Sequence, residues 1–361
     1  MKDIPVRPEE VTPAWLTEAL RSTQSIGQAS VKSFRMQPIG MEQGFSGELV
    51  RLDLDYNKAE NGLPASLVGK FSPIYPHGDD FPQDSSEREI RFYEKAAAKV
   101  GLRAPRCHFA AIDRKKGVSV LLLEDLNHLR RADITAGCTL EEVELVIREL
   151  ASMHASWWES PQFRKMKWLP LINTFAESPF QRWWSSYPDC VKAILSGYRI
   201  PDAFLEVGQR LADNLDKAFD PLAEPPVTLV HGDVHADNLL FGTGGKTPSL
   251  VLLDWELAAR GKGVSDVTYF MASSLPTSLR RRSERRLLET YHGLLVGYGV
   301  QGYSFDQCWA DYKRSIFARI LISVLATVGC DNSSESRRAW RRADLQRLAA
   351  FVEDHAVKEF L

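Results

Sequence analysis

His231-Gly-Asp-Val-His-Ala-Asp-Asn238, followed by Asp254-Trp-Glu256, is the stretch on which the reading of this 361-residue chain turns. Short apolar runs flank it: Val227-Thr-Leu-Val230 before the loop, Asn238-Leu-Leu-Phe241 after it, then a glycine turn and Leu250-Val-Leu-Leu253. Runs of that length bounded by turn residues predict a β-hairpin with polar residues at both ends. Asp and Asn favour turns for local hydrogen bonds, so each alone would be an ordinary turn residue. Together they match what phosphoryl transfer to a hydroxyl needs: a carboxylate to orient the attacking group, and oxygen ligands for a metal, all on rigid backbone. Asp233 suits the first role. Asn238 closes the same loop with an amide oxygen, and Asp254 emerges where the Leu250–Leu253 strand ends, so both suit the metal.

Upstream, residues 31–124 predict a strand-rich part with one inserted helix. Val50-Arg-Leu-Asp-Leu-Asp-Tyr56 alternates with period two, and Ser66-Leu-Val-Gly-Lys-Phe71 is a second short run. Val118-Ser-Val-Leu-Leu-Leu123 follows a turn at Asp113–Gly117, and Gly40-Met-Glu-Gln-Gly-Phe-Ser-Gly47 is a glycine-bearing turn between the first strands. Helices are expected at Thr12–Leu20 and from about Ser85 to Val100, the latter stopped by Gly101. From Thr139 the pattern turns helical. Thr139-Leu-Glu-Glu142 is a capping-box signature, and apolar residues at 143, 146, 147, 150 and 153 keep helical spacing. Past the hairpin the chain is expected to stay helical to its end. The predicted boundary falls near Glu124–Asn127, giving parts 1–124 and 125–361.

The central residues resemble the H-x-D-x-x-x-x-N and Asp–metal motifs of the aminoglycoside phosphotransferase and choline kinase superfamily, and the chain is most similar to its ecdysteroid-kinase-like (CHK-like) branch. Protein kinases share the Asp-x-x-x-x-Asn spacing, but they have Asp-Phe-Gly where this chain has Asp-Trp-Glu, and His235 is placed as in small-molecule kinases. The resemblance extends over most of the chain. It implies an α+β, bilobal, protein-kinase-like fold with a small β-rich N-terminal lobe and a larger, mostly helical C-terminal lobe. It also implies ATP and Mg²⁺. Lys70 would pair with the ATP phosphates, and Glu89 of Glu-Ile-Arg-Phe-Tyr93 would hold that lysine, with Glu87 as a rival. Leu121-Leu-Leu-Glu-Asp-Leu126 would be the hinge, putting Glu124 and Leu126 beside the adenine. Asn238 and Asp254 would hold Mg²⁺, and Asp233 would orient the acceptor hydroxyl. Leu150-Ala-Ser-Met-His154 resembles the family's Leu-Ala-x-x-His helix, and Gly263-Val-Ser-Asp266 the segment whose aspartate braces the catalytic loop. Gly40–Gly47 departs from a strict G-x-G-x-x-G spacing; Ser46 and Gly47 are the phosphate contacts it offers.

The partner implied is a small-molecule hydroxyl acceptor. Residues 155–220 mix Trp and Phe with both charge signs, including Arg164, Lys165, Lys167 and Arg182. That composition suits a neutral or apolar alcohol, steroid-like or xenobiotic, better than a polycationic aminoglycoside. Trp157, Trp158, Trp168, Trp183 and Trp184 read as helical core or, alternatively, as an apolar wall for a ring-bearing acceptor.

Other readings compete. His-x-Asp-x-His-x-Asp is rich in metal ligands, yet a di-metal hydrolase needs more histidines, and only His292 and His355 follow, both in helical stretches. A protein kinase would carry an Ala-Pro-Glu-like segment after Asp254. A nucleotide-binding pseudokinase would usually lack one of Lys70, Asp233, Asn238 or Asp254. His231 is expected to orient the loop through backbone bonds, and His154 to be a buried structural histidine.

A net charge of -2 gives no case for binding nucleic acid or a membrane surface. The arginine clusters at 280–286 and 337–342 are expected to be solvated faces balanced by acids. Five cysteines without a C-x-x-C pair fit a reducing compartment. The N-terminal sequence lacks the apolar run of a signal peptide, and the most apolar stretch, Ile320–Cys330, has 11 residues where a membrane span needs about 20. The expected location is cytoplasmic.

Overall fold

The computed structural model describes residues 4–39, 48–71, 84–177, 201–242, 249–329 and 334–361. The chain divides into two compact units: Met1–Ala98 with Ala104–His128, and Lys99–Arg103 with Leu129–Leu361.

The first unit is built on an antiparallel sheet of β1 (Val31–Ile39), β2 (Glu48–Tyr56), β3 (Ser66–Phe71), β4 (Cys107–Asp113) and β5 (Val118–Glu124), in the order β1-β2-β3-β5-β4. Alternation along the strands decides its two faces. Leu67 and Phe71 join Val50, Leu52, Val120 and Leu122 in a core that also takes Leu16, Ala19 and Leu20 of helix α1 (Pro13–Ser22). The Thr12 hydroxyl caps α1 by accepting the Trp15 N–H at 3.1 Å, and Pro13 fills the first helical position. Lys70 alternates with those core residues and so points to the opposite face, where helix α2 (Asp84–Lys95) meets it. This helix ends earlier than the sequence suggests: a short 3₁₀ turn at Ala97–Lys99 separates it from Gly101.

In the second unit, helix α3 (Leu140–Ser156) opens on the capping box of Thr139 and Glu142 and buries Val143, Val146, Ile147, Leu150 and Met153. Helices α4 (Asp202–Asp213) and α5 (Leu215–Ala223) lead into a short strand, β7 (Thr228–Val230). The expected hairpin is β8 (Leu239–Gly242) with β9 (Ser249–Leu252), and β6 (Arg130–Arg131) adds to its β8 edge. β7 does not join it. It pairs antiparallel with β10 (Ala259–Gly261), Val230 opposite Ala259. The buried backbone of β7 needs a ladder partner, and Ala-Arg-Gly is too short to announce one by periodicity.

Among the described residues, five α-helices follow: α6 (Val264–Ser274), α7 (Thr277–Gly297), α8 (Phe305–Arg314), α9 (Ile316–Gly329) and α10 (Glu335–His355). Every residue of α6 is buried, so its polar side chains must find partners inside. Thr268 does so by donating to Val264 O and accommodating Tyr312 O at 2.9 Å.

The arginine clusters are only partly solvated, which corrects the expectation above. Arg281, Arg285 and Arg286 are exposed and pair with Asp354, Glu289 and Glu144. Arg280 and Arg341 are buried. Arg280 faces inward from α7, where Glu284 at 2.7 Å and Asp354 neutralise it. A guanidinium is stable there only because those carboxylates accompany it.

The capping box predicts that Thr139→Ala costs the second unit about 1 kcal/mol in denaturant unfolding; an unchanged midpoint would contradict the assigned cap.

Candidate active site

The 231–238 loop begins where β7 ends, and α6 receives it. Asp266, in the first turn of α6, accepts the His231 N–H at 2.7 Å and the Gly232 N–H at 2.9 Å. His154 Nε2 lies 3.2 Å from the same carboxylate, and His154 Nδ1 meets the Tyr291 hydroxyl at 2.8 Å. Asp266, His154 and Tyr291 are all buried, so His154 is the structural histidine its sequence context suggests.

His231 ties the loop to the hairpin. Its Nε2 sits 2.9 Å from Leu253 O, and its Nδ1 accepts the Asp233 N–H at 3.1 Å. A ring that donates at Nε2 and accepts at Nδ1 is neutral, and burial pushes its pKa down. With both nitrogens committed to backbone, His231 offers none to a metal. The Leu253 N–H in turn donates to Asn238 O at 2.9 Å. Closing the hairpin thus brings Asn238 to the backbone beside Asp254. Gly232 has φ +83°, and a Cβ there would lie 2.5 Å from Leu257 O, so glycine is required on both counts.

Asp233 is held on both carboxylate oxygens. The Tyr269 hydroxyl donates to Oδ1. Asn238 Nδ2 donates to Asp233 O at 3.0 Å and to Oδ2 at 3.2 Å, and His235 Nε2 lies 3.4 Å from Oδ2. Burial would raise the Asp233 pKa, but His235 and the Tyr269 hydroxyl more than offset it and hold the carboxyl below the usual range. Because the Asn238 amide nitrogen faces Asp233, its oxygen is the atom suited to a cation. Asp254 adopts φ +63°, a left-handed conformation that costs energy outside glycine and gathers at functional sites. Asp254 and Glu256 bring carboxylate oxygens within 4.8 Å of each other. Hard oxygen donors of this kind fit Mg²⁺. Glu256 was not among the expected ligands, although it stands in the same Asp-Trp-Glu motif.

In the first unit, Lys70 Nζ lies 2.7 Å from Glu89 Oε2, and the Glu89 side chain is 2% exposed. Glu87 is turned instead to Arg114 and Arg91; Glu89 is therefore the partner of Lys70. Glu124 closes β5 by exchanging bonds with Arg106, its N–H donating to Arg106 O at 2.8 Å and its Oε2 accepting the Arg106 N–H at 3.1 Å. Leu126 is buried. Asp125, between them, was passed over in the sequence. Its buried carboxylate pairs with Arg51 at 2.9 Å and accepts the Ser66 hydroxyl at 2.7 Å, fastening this segment to β2 and β3. The sequence signal was a second acid beside Glu124, at the end of an apolar run.

Ser46, Gly47, Trp183 and Trp184 lie outside the described residues. Trp157 is buried and stacks on Phe163, while Trp158 is half-buried against Tyr303 at 5.2 Å. His292 bonds to Tyr303 O and His355 to Glu284, so neither joins the loop histidines.

Residues 42–298 match the model of the ecdysteroid kinase-like family. The chain belongs to that family. A methylthioribose kinase of Bacillus cereus is 27% identical over 117 residues, covering 29% of this chain and 28% of that protein. The chain thus aligns with under a third of the length of the curated relatives it matches. Among solved structures, choline kinase from Cryptosporidium parvum Iowa II superposes with a TM-score of 0.53 at 11% identity, over 96% of this chain and 94% of that one. Spectinomycin phosphotransferase, solved with ADP and spectinomycin, gives 0.51 at 15% identity, over 98% and 100%. These likenesses give the fold: α+β and protein-kinase-like, with a small β-rich N-terminal lobe and a larger, mostly helical C-terminal lobe.

Neutral His231 has a directional consequence. Its folded pKa is lowered, so below its ordinary value of about 6.5 the unfolded chain takes up a proton that the folded one refuses. Its share of stability is present above that pH and is lost as pH falls. Urea unfolding between pH 7.5 and 5.5 should show a shallower loss in His231→Gln than in the parent; identical slopes would contradict a ring kept neutral by burial.

Proposed function

We propose that this chain is an ATP-dependent phosphotransferase that moves the γ-phosphate to a hydroxyl of a small molecule. The observation that carries the reading is Asp233, an ionised carboxylate held on both oxygens, with Asn238 bonded to it and tied by its own backbone oxygen to Leu253, the residue before Asp254. A carboxylate with so low a pKa is a weak base. Its task is to orient the acceptor hydroxyl in line with the γ-phosphorus and accept its proton as the O–P bond forms and the bond to the β-γ bridging oxygen breaks. Bound at Asn238 and Asp254, Mg²⁺ would neutralise phosphate charge. Lys70, held by Glu89, binds the α- and β-phosphates, and the Glu124–Leu126 backbone receives the adenine. Nucleotide binding is assigned to residues 1–124, with Ser46 and Gly47 as further phosphate contacts; catalysis and acceptor binding are assigned to 125–361. The ADP complex of spectinomycin phosphotransferase supports a nucleotide on this fold.

The acceptor class we favour is a neutral or apolar alcohol, steroid-like or xenobiotic. The half-buried Trp158 and Trp168, within a segment that also carries Arg164, Lys165 and Lys167, support this over a polycation.

Asp233→Ala should cut phosphoryl transfer by roughly 10²–10⁴-fold while the thermal shift produced by Mg-ATP persists. Retained turnover in the purified variant would sink the assignment.

A further inference from the structure

Asp has a soft terminal torsion, so a carboxylate tethered at one oxygen can still rotate. An orienting carboxylate needs its plane fixed. Asn238 reaches only Oδ2 and the Asp233 carbonyl. The second tether comes from α6, which also carries the loop brace. Asp266 and Tyr269 are three residues apart and share one helical face. Asp266 takes the loop backbone at 231 and 232, and Tyr269 takes the side chain at 233.

Tyr269 is itself built in. It is 4% exposed, and the Arg319 guanidinium stands 4.8 Å from its ring centroid. A cation over the ring withdraws electron density from the phenol and strengthens its O–H as a donor. Arg319 is buried and bonded to Ser273 Oγ and Asp344 Oδ1, and Asp344 accepts the Ser323 hydroxyl at 3.2 Å. Helices α9 and α10 thereby fix the cation that fixes the tyrosine.

We propose that Tyr269 is a positioning residue for Asp233, its hydroxyl locking the carboxylate plane through Oδ1 so that the acceptor hydroxyl meets a fixed partner. The proposal rests on the phosphotransferase reading for its consequence and on the Tyr269–Asp233 bond for its geometry, and two experiments separate these. In the first, Mg-ATP turnover to ADP is followed with water and with a panel of simple and polycyclic alcohols. Assayed well below its melting temperature, Tyr269→Phe should lower kcat about tenfold with KM for ATP nearly unchanged, and should have no further effect in an Asp233→Ala background. Wild-type kcat in Tyr269→Phe, or a fall in kcat that merely tracks lost stability, would overturn the role.

The second experiment needs no turnover. A double-mutant cycle in urea across Tyr269→Phe and Asp233→Ala should give a combined destabilisation smaller than the sum of the two. Strict additivity would remove the bond on which the proposal stands. Coupling in the cycle, with an enzyme that turns over no acceptor, would count against the phosphotransferase reading and strip Tyr269 of its catalytic consequence.

Discussion

Two consecutive backbone N–H groups, those of His231 and Gly232, end on one buried carboxylate, Asp266, and the second unit is arranged to keep that carboxylate in place. A loop that carries functional side chains forgoes ladder hydrogen bonds, so its buried N–H groups need other acceptors. A buried carboxylate likewise needs donors. Here each solves the other's problem, with His154 and Tyr291 completing the set. Asp266 also lies in the first turn of α6, where the helix dipole favours a negative charge. Such a network has no spare member: removing one group leaves the others buried and unpaired.

The same logic recurs at several buried charges among the described residues. Lys70 has Glu89, Asp125 has Arg51, Arg280 has Glu284 and Asp354, and Arg319 has Asp344. Paired, fixed charges of this kind form a preorganised field. Neutral His231 follows the rule from the other side. It avoids a buried charge by giving both nitrogens to backbone groups.

What could be read in the sequence follows from this. Asp233, Asn238 and Asp254 were legible because their spacing along one loop and hairpin is local, and the geometry gathers them around closed backbone bonds. α3 was legible down to its cap because period and capping box are both local signals. Lys70 with Glu89 needed the family resemblance to single out Glu89 from Glu87. Residues whose meaning lies in a distant partner stayed silent: Tyr269 is defined by Asp233, Arg319 by Asp344, and Asp125 by Arg51. Arg280 was misread for that reason, since nothing near it in the chain points to Asp354. β10 was missed because three residues are too few to show a period and form a strand only where β7 demands one.

The reaction proposed for this chain is phosphoryl transfer to a small hydroxyl compound. Its most direct test is incubation with Mg-ATP and a panel of alcohols, from polyols to polycyclic sterols, followed by mass spectrometry of each acceptor and quantitation of ADP. At least one product heavier by a single phosphoryl group is expected, with ADP formed in equal amount. Nucleotide binding with no phosphorylated product across the panel would contradict it and leave a binding protein in place of an enzyme.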